Sequence, residues 1–116
     1  MPFVRHQQQP IVLEHFQGGE GEMLRENILN TNEEMYDKGR VFAKMTLKKG
    51  CEVGRHTHHG DSETMYILKG HGKYLIDGQF VDVGPGDTLY CGAEEEHMLR
   101  NENDEPLEFI ALVLFK

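Results

Sequence analysis

In the segment GRHTHHGDSE (residues 54–63), His56 and His58 stand two positions apart and Glu63 follows; a further histidine, His97, lies 34 residues beyond that acid. On an extended strand, positions i and i+2 point to one face, so two imidazoles at His56 and His58 can reach a common point. Thr57 and His59 then point the other way. Gly60 and Asp61 give the link after His58 a turn-like character. Glu63, opening the next extended run, can return its carboxylate to the same point. Two imidazoles and a carboxylate suit first-row divalent transition metals such as Mn, Fe, Co, Ni or Zn. His97 opens the run HMLRN; if that run pairs beside the HTH strand, it faces the same interior and adds a third nitrogen. Three nitrogens and one carboxylate oxygen in an octahedral shell leave two positions open, as a catalytic metal requires. An HxH pair alone carries little weight, because short motifs recur by chance. Glu63 and His97 are what make a metal site a serious alternative to a polar loop.

The elements that must position these residues are short strands. From Arg40 onward the pattern is clear. In RVFAKMTLKK (40–49), Val41, Ala43, Met45 and Leu47 alternate with Lys44, Thr46 and Lys48, the period of a half-buried strand. ETMYILKG (63–70) reads as a second strand ended by Gly70. KYLIDGQFVDV (73–83) reads as a hairpin turning at Asp77-Gly78, a type I′ signal. GPGD (84–87) is another turn, and TLYC (88–91) and HMLRN (97–101) are short strands. LEFIALVLF (107–115) is apolar almost throughout, which suits a strand covered on both faces. Before Arg40 the signals are weaker. IVLEHF (11–16) fits a short strand, and MLRENIL (23–29) fits strand or helix. TNEEMYDK (31–38) fits one helical turn capped by Thr31 or Asn32. QGGEGE (17–22) is a loop without the strand-to-helix frame or Lys-Ser/Thr of a phosphate cradle.

Many short strands, turns every eight to twelve residues and no clear helix point to an all-β sandwich or barrel. A length of 116 residues is that of one domain, 1–116, with 13 glycines falling between the apolar runs. Net charge is −8 with no Lys/Arg cluster, which disfavours nucleic acid and anionic membranes as partners. No run is long enough to span a bilayer, and MPFVRHQQQPIVLEHF lacks the basic start and apolar region of a secretory signal. The expectation is a cytoplasmic protein. Cys51 and Cys91 form no CxxC pair and read as ordinary half-buried cysteines.

The spacing around the histidines resembles the cupin superfamily. Its first motif, Gly-x5-HxH-x3-4-Glu-x6-Gly, is met by Gly50, His56, His58, Glu63 and Gly70 in GCEVGRHTHHGDSETMYILKG. Its second, Gly-x5-Pro-x-Gly-x2-His-x3-Asn, is met by Gly86, His97 and Asn101 in GDTLYCGAEEEHMLRN. Two positions depart: Gly92 stands where the motif has Pro, and Glu94 where it has Gly. Both fall in the turn before His97, so they bear on the shape and charge of the pocket mouth and not on the ligands. The motifs cover residues 50 to 101, with an interval as short as in small microbial members.

The resemblance implies an antiparallel double-stranded β-helix, or jelly-roll barrel, holding one divalent transition metal on His56, His58, Glu63 and His97. It also implies a homodimer in which residues 1–39, an N-terminal strand and loop segment, pack at the interface. Cupins include dioxygenases, decarboxylases, isomerases, epimerases and lyases, as well as sensors and storage modules. The leading expectation is a metal-dependent enzyme on a small oxygenated metabolite, with Glu63 as ligand and proton acceptor. The alternative is a non-catalytic small-molecule-binding or sensor module, and a third reading is a structural or metal-free barrel. Met65, Tyr66, Tyr90 and Cys91 are candidates to line the pocket. His71, in GHG, reads as a solvated turn residue, and Glu94, Glu95 and Glu96 as a loop that can rim the site.

Overall fold

A computed structural model describes residues 9–116. Ten antiparallel strands form two sheets. They are β1 (Ile11–Glu14), β2 (Glu22–Asn27), β3 (Gly39–Leu47), β4 (Glu52–Thr57), β5 (Asp61–Lys69), β6 (Gly72–Ile76), β7 (Gln79–Val83), β8 (Thr88–Cys91), β9 (Glu96–Arg100) and β10 (Leu107–Phe115). One sheet runs β1-β2-β3-β10-β5-β8, the other β4-β9-β6-β7. The expected double-sheet, jelly-roll architecture is therefore present, with one correction. The barrel is not closed, because the two sheets share no strand ladder.

The reason differs at the two seams. Beside β4, the loop after β1 takes the place of a strand. Gly19 and Gly54 let the two backbones touch; a Cβ on Gly54 would collide with the Gln17 carbonyl. Glu52 N–H donates to Glu20 O at 2.8 Å, and Glu20 N–H to the Glu52 carboxylate at 3.0 Å. Beside β7, no strand ladder to β8 is present among the described residues. A cavity of about 280 Å³ lies between β6 with its turn (Tyr74–Gly78) on one side and Tyr90, Cys91 and Glu94–Glu96 on the other.

Period-2 patterning builds the layers. The β3 residues Val41, Ala43, Met45 and Leu47 are all buried, and they alternate with residues that are only partly so. The β10 residues Leu107, Phe109, Ala111 and Val113 do the same, and β3, β10 and β5 pair through them, Phe109 lying opposite both Met45 and Ile67. Met23, Met65, Leu99 and Leu107 complete a single apolar core. The β6–β7 hairpin turns at Asp77 and Gly78, both at positive φ as a type I′ turn requires.

The N-terminal elements are integral to this chain's own sheet. MLRENIL, which fits two periods, resolves as strand: β2 pairs β3 from Met23–Leu47 to Asn27–Ala43. The helical turn in TNEEMYDK is a 3-10 turn at Glu33–Met35. Asn32 stands at its N-cap without a side-chain bond, and Thr31 before it supplies the capping contacts: Thr31 Oγ1 accepts from Glu34 N–H at 3.1 Å, while Glu34 Oε1 accepts from Thr31 N–H at 2.9 Å, reciprocal bonds of the capping-box kind. Residues 1–8 of the expected interface segment lie outside the described residues. No helix among the described residues is long and apolar enough to cross a membrane.

Candidate metal centre

Both sheets contribute to one cluster. β4 and β9 pair so that His56 lies directly opposite His97, which meets the condition for His97 to reach the same interior. His58 sits just past the end of β4, and Glu63 projects from β5 in the other sheet, where its partners are Val113 and Cys91. The Nε2 atoms of His56, His58 and His97 form a near-equilateral triangle with sides of 3.1 to 3.2 Å. Glu63 Oε1 lies 3.0 Å from His58 Nε2 and 3.2 Å from His97 Nε2. All four donor atoms fall within 4.8 Å of one another. His58, Glu63 and His97 are buried, at 4%, 8% and 1% exposure.

The opposite ring nitrogens decide what the cluster can do. His56 Nδ1 is 2.7 Å from the Gly54 carbonyl, and His58 Nδ1 is 2.7 Å from Asp61 Oδ1. Neither oxygen can donate, so each Nδ1 carries the proton and each neutral ring turns an Nε2 lone pair inward. The Tyr74 hydroxyl meets His97 Nδ1 at 2.8 Å. Inward lone pairs facing a carboxylate at hydrogen-bond distance call for a positive centre among them. Ligating histidines characteristically donate their outer N–H to a carbonyl or carboxylate in this way. The donor set thus fits a divalent ion.

Without an ion the rings can carry a second proton, and the electrostatics then act on each group differently. Burial pushes the Glu63 carboxyl up, but protonated His58 and His97, donating to it from Nε2, outweigh burial and hold the group down at about 2; a bound ion would stand in for those protons. Glu63 first, then Asp61, raises His58 above its ordinary value against the opposing effect of burial. His56 is lowered, by burial and then by its charged histidine neighbours, with the Gly54 carbonyl opposing. Burial also raises Tyr74, which stays a phenol, and lifts the Cys91 thiol to about 11, aided by Glu95 and Glu63.

The loop that departs from the motif serves the cluster through its backbone. Glu94 adopts a left-handed φ of 69°, which explains why a glycine belongs there in the motif. In that conformation Glu94 N–H donates to His58 O at 2.6 Å, and His58 N–H donates to Glu95 O at 3.1 Å. The side chains turn outward: Glu94 meets His59 at 2.9 Å, Glu95 accepts from Gly92 N–H at 2.6 Å, and Glu96 pairs with Arg55 at 2.7 Å. His59 and His71 are exposed. Asn101 is a brace. Its amide donates to Leu47 O and Glu105 O, both at 2.9 Å.

A cavity of about 80 Å³ adjoins His56, His58 and Glu63. Its walls are mostly apolar, from Leu13, Phe16, Met23, Met45, Val53 and Met65, with Gln17, Arg25 and Arg40 as the polar lining beside the cluster. Of the four pocket candidates, Met65 alone lines this space. Tyr90 and Cys91 line the larger cavity at the open seam, and Tyr66 is exposed on the outer face of its sheet. Arg25, Arg40, Asp61 and Tyr74 were not singled out by the sequence motifs. Arg25 had one readable signal: it shares the inward parity of Met23 on β2.

A model of the cupin domain matches residues 43–114. This chain belongs to the cupin family. A protein of Thermotoga maritima named oxalate-binding protein is 35% identical over 105 residues, spanning 90% of this chain and 86% of the relative. A crystal structure from Thermotoga maritima, described as a predicted oxalate decarboxylase, superposes with a TM-score of 0.92 at 34% identity, covering 98% of this cupin and 99% of that chain. A polyketide cyclase from Streptomyces resistomycificus reaches a TM-score of 0.77 at 17% identity, over 99% of this cupin and 80% of its own chain. That likeness shows the shared fold alone.

Proposed function

We propose that this cupin holds one divalent transition metal on His56, His58, Glu63 and His97 and uses it to bind a small oxygen-chelating acid of the oxalate class. The observation that carries the reading is the convergence of three imidazole Nε2 atoms and one carboxylate oxygen, with the outer nitrogens of His56 and His58 tied to oxygen acceptors. The bound ion supplies Lewis acidity and positions that the protein leaves open to oxygen donors. The chain's own residues do the rest. Asp61, the Gly54 carbonyl and Tyr74 hold the rings in place. The apolar wall excludes bulk water, and the small cavity limits the ligand to a few non-hydrogen atoms. The oxalate class is supported by the name of the Thermotoga maritima relative.

A specific observation favours binding without turnover as the second reading. Beyond the cluster itself, the polar lining of the cavity among the described residues is Gln17, Arg25 and Arg40, none of them a proton acceptor at neutral pH. The enzyme reading expected from the sequence, dioxygenase-, decarboxylase- or isomerase-like, therefore rests on Glu63 as its base. The reading extends to a homodimer, with the apolar outer face of the six-stranded sheet covered by a second copy.

Elemental analysis of untagged protein, purified without added metal or chelator, tests the site. About one equivalent of Mn, Fe, Co, Ni or Zn is expected in the native protein, and none in a His56→Ala/His58→Ala variant that keeps the native circular dichroism. A native protein that holds no metal, and takes none up on soaking, would remove the proposal. Incubating the loaded protein with oxalate and measuring released CO₂ separates turnover from binding.

A further inference from the structure

Arg25 sits where a soluble sandwich ordinarily places an apolar side chain. On β2, Met23, Arg25 and Asn27 share the inward face, while Leu24 and Glu26 face outward. The outward side is already satisfied, since Lys44 bridges Glu26 and Glu108 at 3.8 and 2.8 Å. Arg25 instead lines the small cavity that also touches His56, His58 and Glu63. Among the described residues its guanidinium has one partner, Asn27, whose Oδ1 accepts from Nε at 2.6 Å. That bond steers the head and leaves the two terminal nitrogens unused. The partner is a neutral amide, so no carboxylate balances the charge.

Arg40 lines the same cavity but is balanced. Its Nε donates to Asp61 Oδ2 at 3.0 Å, and Asp61 in turn holds His58. Arg25 feels both burial and the nearby Arg40 charge, and each disfavours its cationic form. Among the described residues this half-buried guanidinium has no carboxylate partner, a setting that an anion from outside would complete. Its planar fork suits a carboxylate better than a point charge does.

We propose that Arg25 is the carboxylate-receiving residue of this site, donating from its terminal nitrogens to the part of a small dicarboxylate ligand that faces away from the metal-binding cluster. This deepens the reading of the cluster as a metal site for an oxalate-class acid and rests on it. A dicarboxylate that gives one oxygen from each end to an ion keeps two oxygens turned away from it. Those two are what the fork of Arg25 takes. Arg25 thereby sets specificity: it favours ligands with a carboxylate edge over ligands that only chelate.

The test compares two chelators on Mn(II)-loaded protein by isothermal titration calorimetry. Oxalate carries the outer carboxylate oxygens; acetohydroxamate chelates through two oxygens but presents a methyl group in their place. Arg25→Gln is expected to weaken oxalate by about 10- to 150-fold, the worth of hydrogen bonds to a charged partner. The same variant should leave acetohydroxamate within about twofold and Mn(II) stoichiometry unchanged. Arg25→Lys, which keeps the charge and loses the fork, should fall between wild type and Arg25→Gln for oxalate. If either variant binds oxalate as wild type does, or loses both chelators equally, the assignment of Arg25 is overturned while the metal site stands. If loaded wild-type protein binds acetohydroxamate but no oxalate, the ligand class fails and the role of Arg25 with it. If it takes up no Mn(II), the reading of the cluster itself has failed.

Discussion

A metal-binding histidine is half of a pair, the other half being whatever holds its outer nitrogen. For His58 that partner is Asp61, buried at 6% exposure and tied on its second oxygen to Arg40. The pair of bonds fixes the ring plane and keeps the proton on Nδ1, so that Nε2 meets Glu63 and the other two histidines as an acceptor. Replacing Asp61 with Ala removes both functions and releases the Arg40 charge at the cavity mouth. Loss of such an outer partner ordinarily costs about 10- to 100-fold in metal affinity. A chelator-competition titration with Zn(II) or Mn(II) should therefore show Asp61→Ala weaker by that factor, with one site still filled at saturation. An unchanged affinity would mean that the His58 backbone bonds to the Glu94–Glu95 loop position the ring without help from its side chain. His97 has a phenol as its outer partner, the Tyr74 hydroxyl at 2.8 Å, and is itself almost fully buried.

At the scale of elements, the loop from Gly92 to Glu95 shows how far sequence alone could see. Its departures from the cupin motif were legible as departures. Their consequence was not, because it depends on one dihedral angle. Glu94 holds the left-handed φ of 69° that its backbone bond to His58 demands, a conformation in which a side chain is strained and glycine is not. Glu94→Gly should raise the thermal midpoint without changing metal stoichiometry, since the surface contact with His59 that it removes is open to solvent screening. A lowered midpoint in a differential scanning experiment would show that the His59 contact outweighs the strain. Strands with strict alternation, such as β3, and the Asp77-Gly78 hairpin were readable for a related reason: their signals are local. The pairing of HTH with HMLRN stood in the sequence only as a condition for His97 to join the cluster, and the β4–β9 ladder meets it. β2 hid behind a run too short to separate two periods, and with it went Arg25. The open seam and Tyr74 were invisible because they arise from which edges fail to meet, and no short segment encodes that.

For the molecule as a whole, β10 poses the remaining question. Its sequence is apolar at nearly every position, as in a strand covered on both faces. Within the chain only Leu107, Phe109, Ala111 and Val113 are buried; Ile110 and Leu112 are half-exposed, and Leu114 and Phe115 exposed. Register places these outward residues among both apolar and polar neighbours, Ile110 lying opposite Lys44 on β3. Ile110 lies opposite Tyr66 on β5, and Leu112 lies opposite Phe42 on β3 and Thr64 on β5, with Tyr90 next on β8. The charges nearest this surface, Lys44, Glu26 and Glu108, are already paired with one another, so the face offers a partner apolar area rather than unmet charge. A two-fold axis through β10 would set each outward row against its own copy, the self-complementary arrangement that most homodimers use. Sedimentation equilibrium at micromolar concentration should accordingly return twice the 13.3 kDa chain mass. Leu112→Lys, which places like charges close together across such an axis, should return the monomer with its metal still bound. The site lies on the inward side of the same sheet, so loss of the dimer with the metal retained would separate assembly from chemistry. A wild-type mass of one chain would leave the outer face of β10 uncovered, and its apolar residues would then need another explanation.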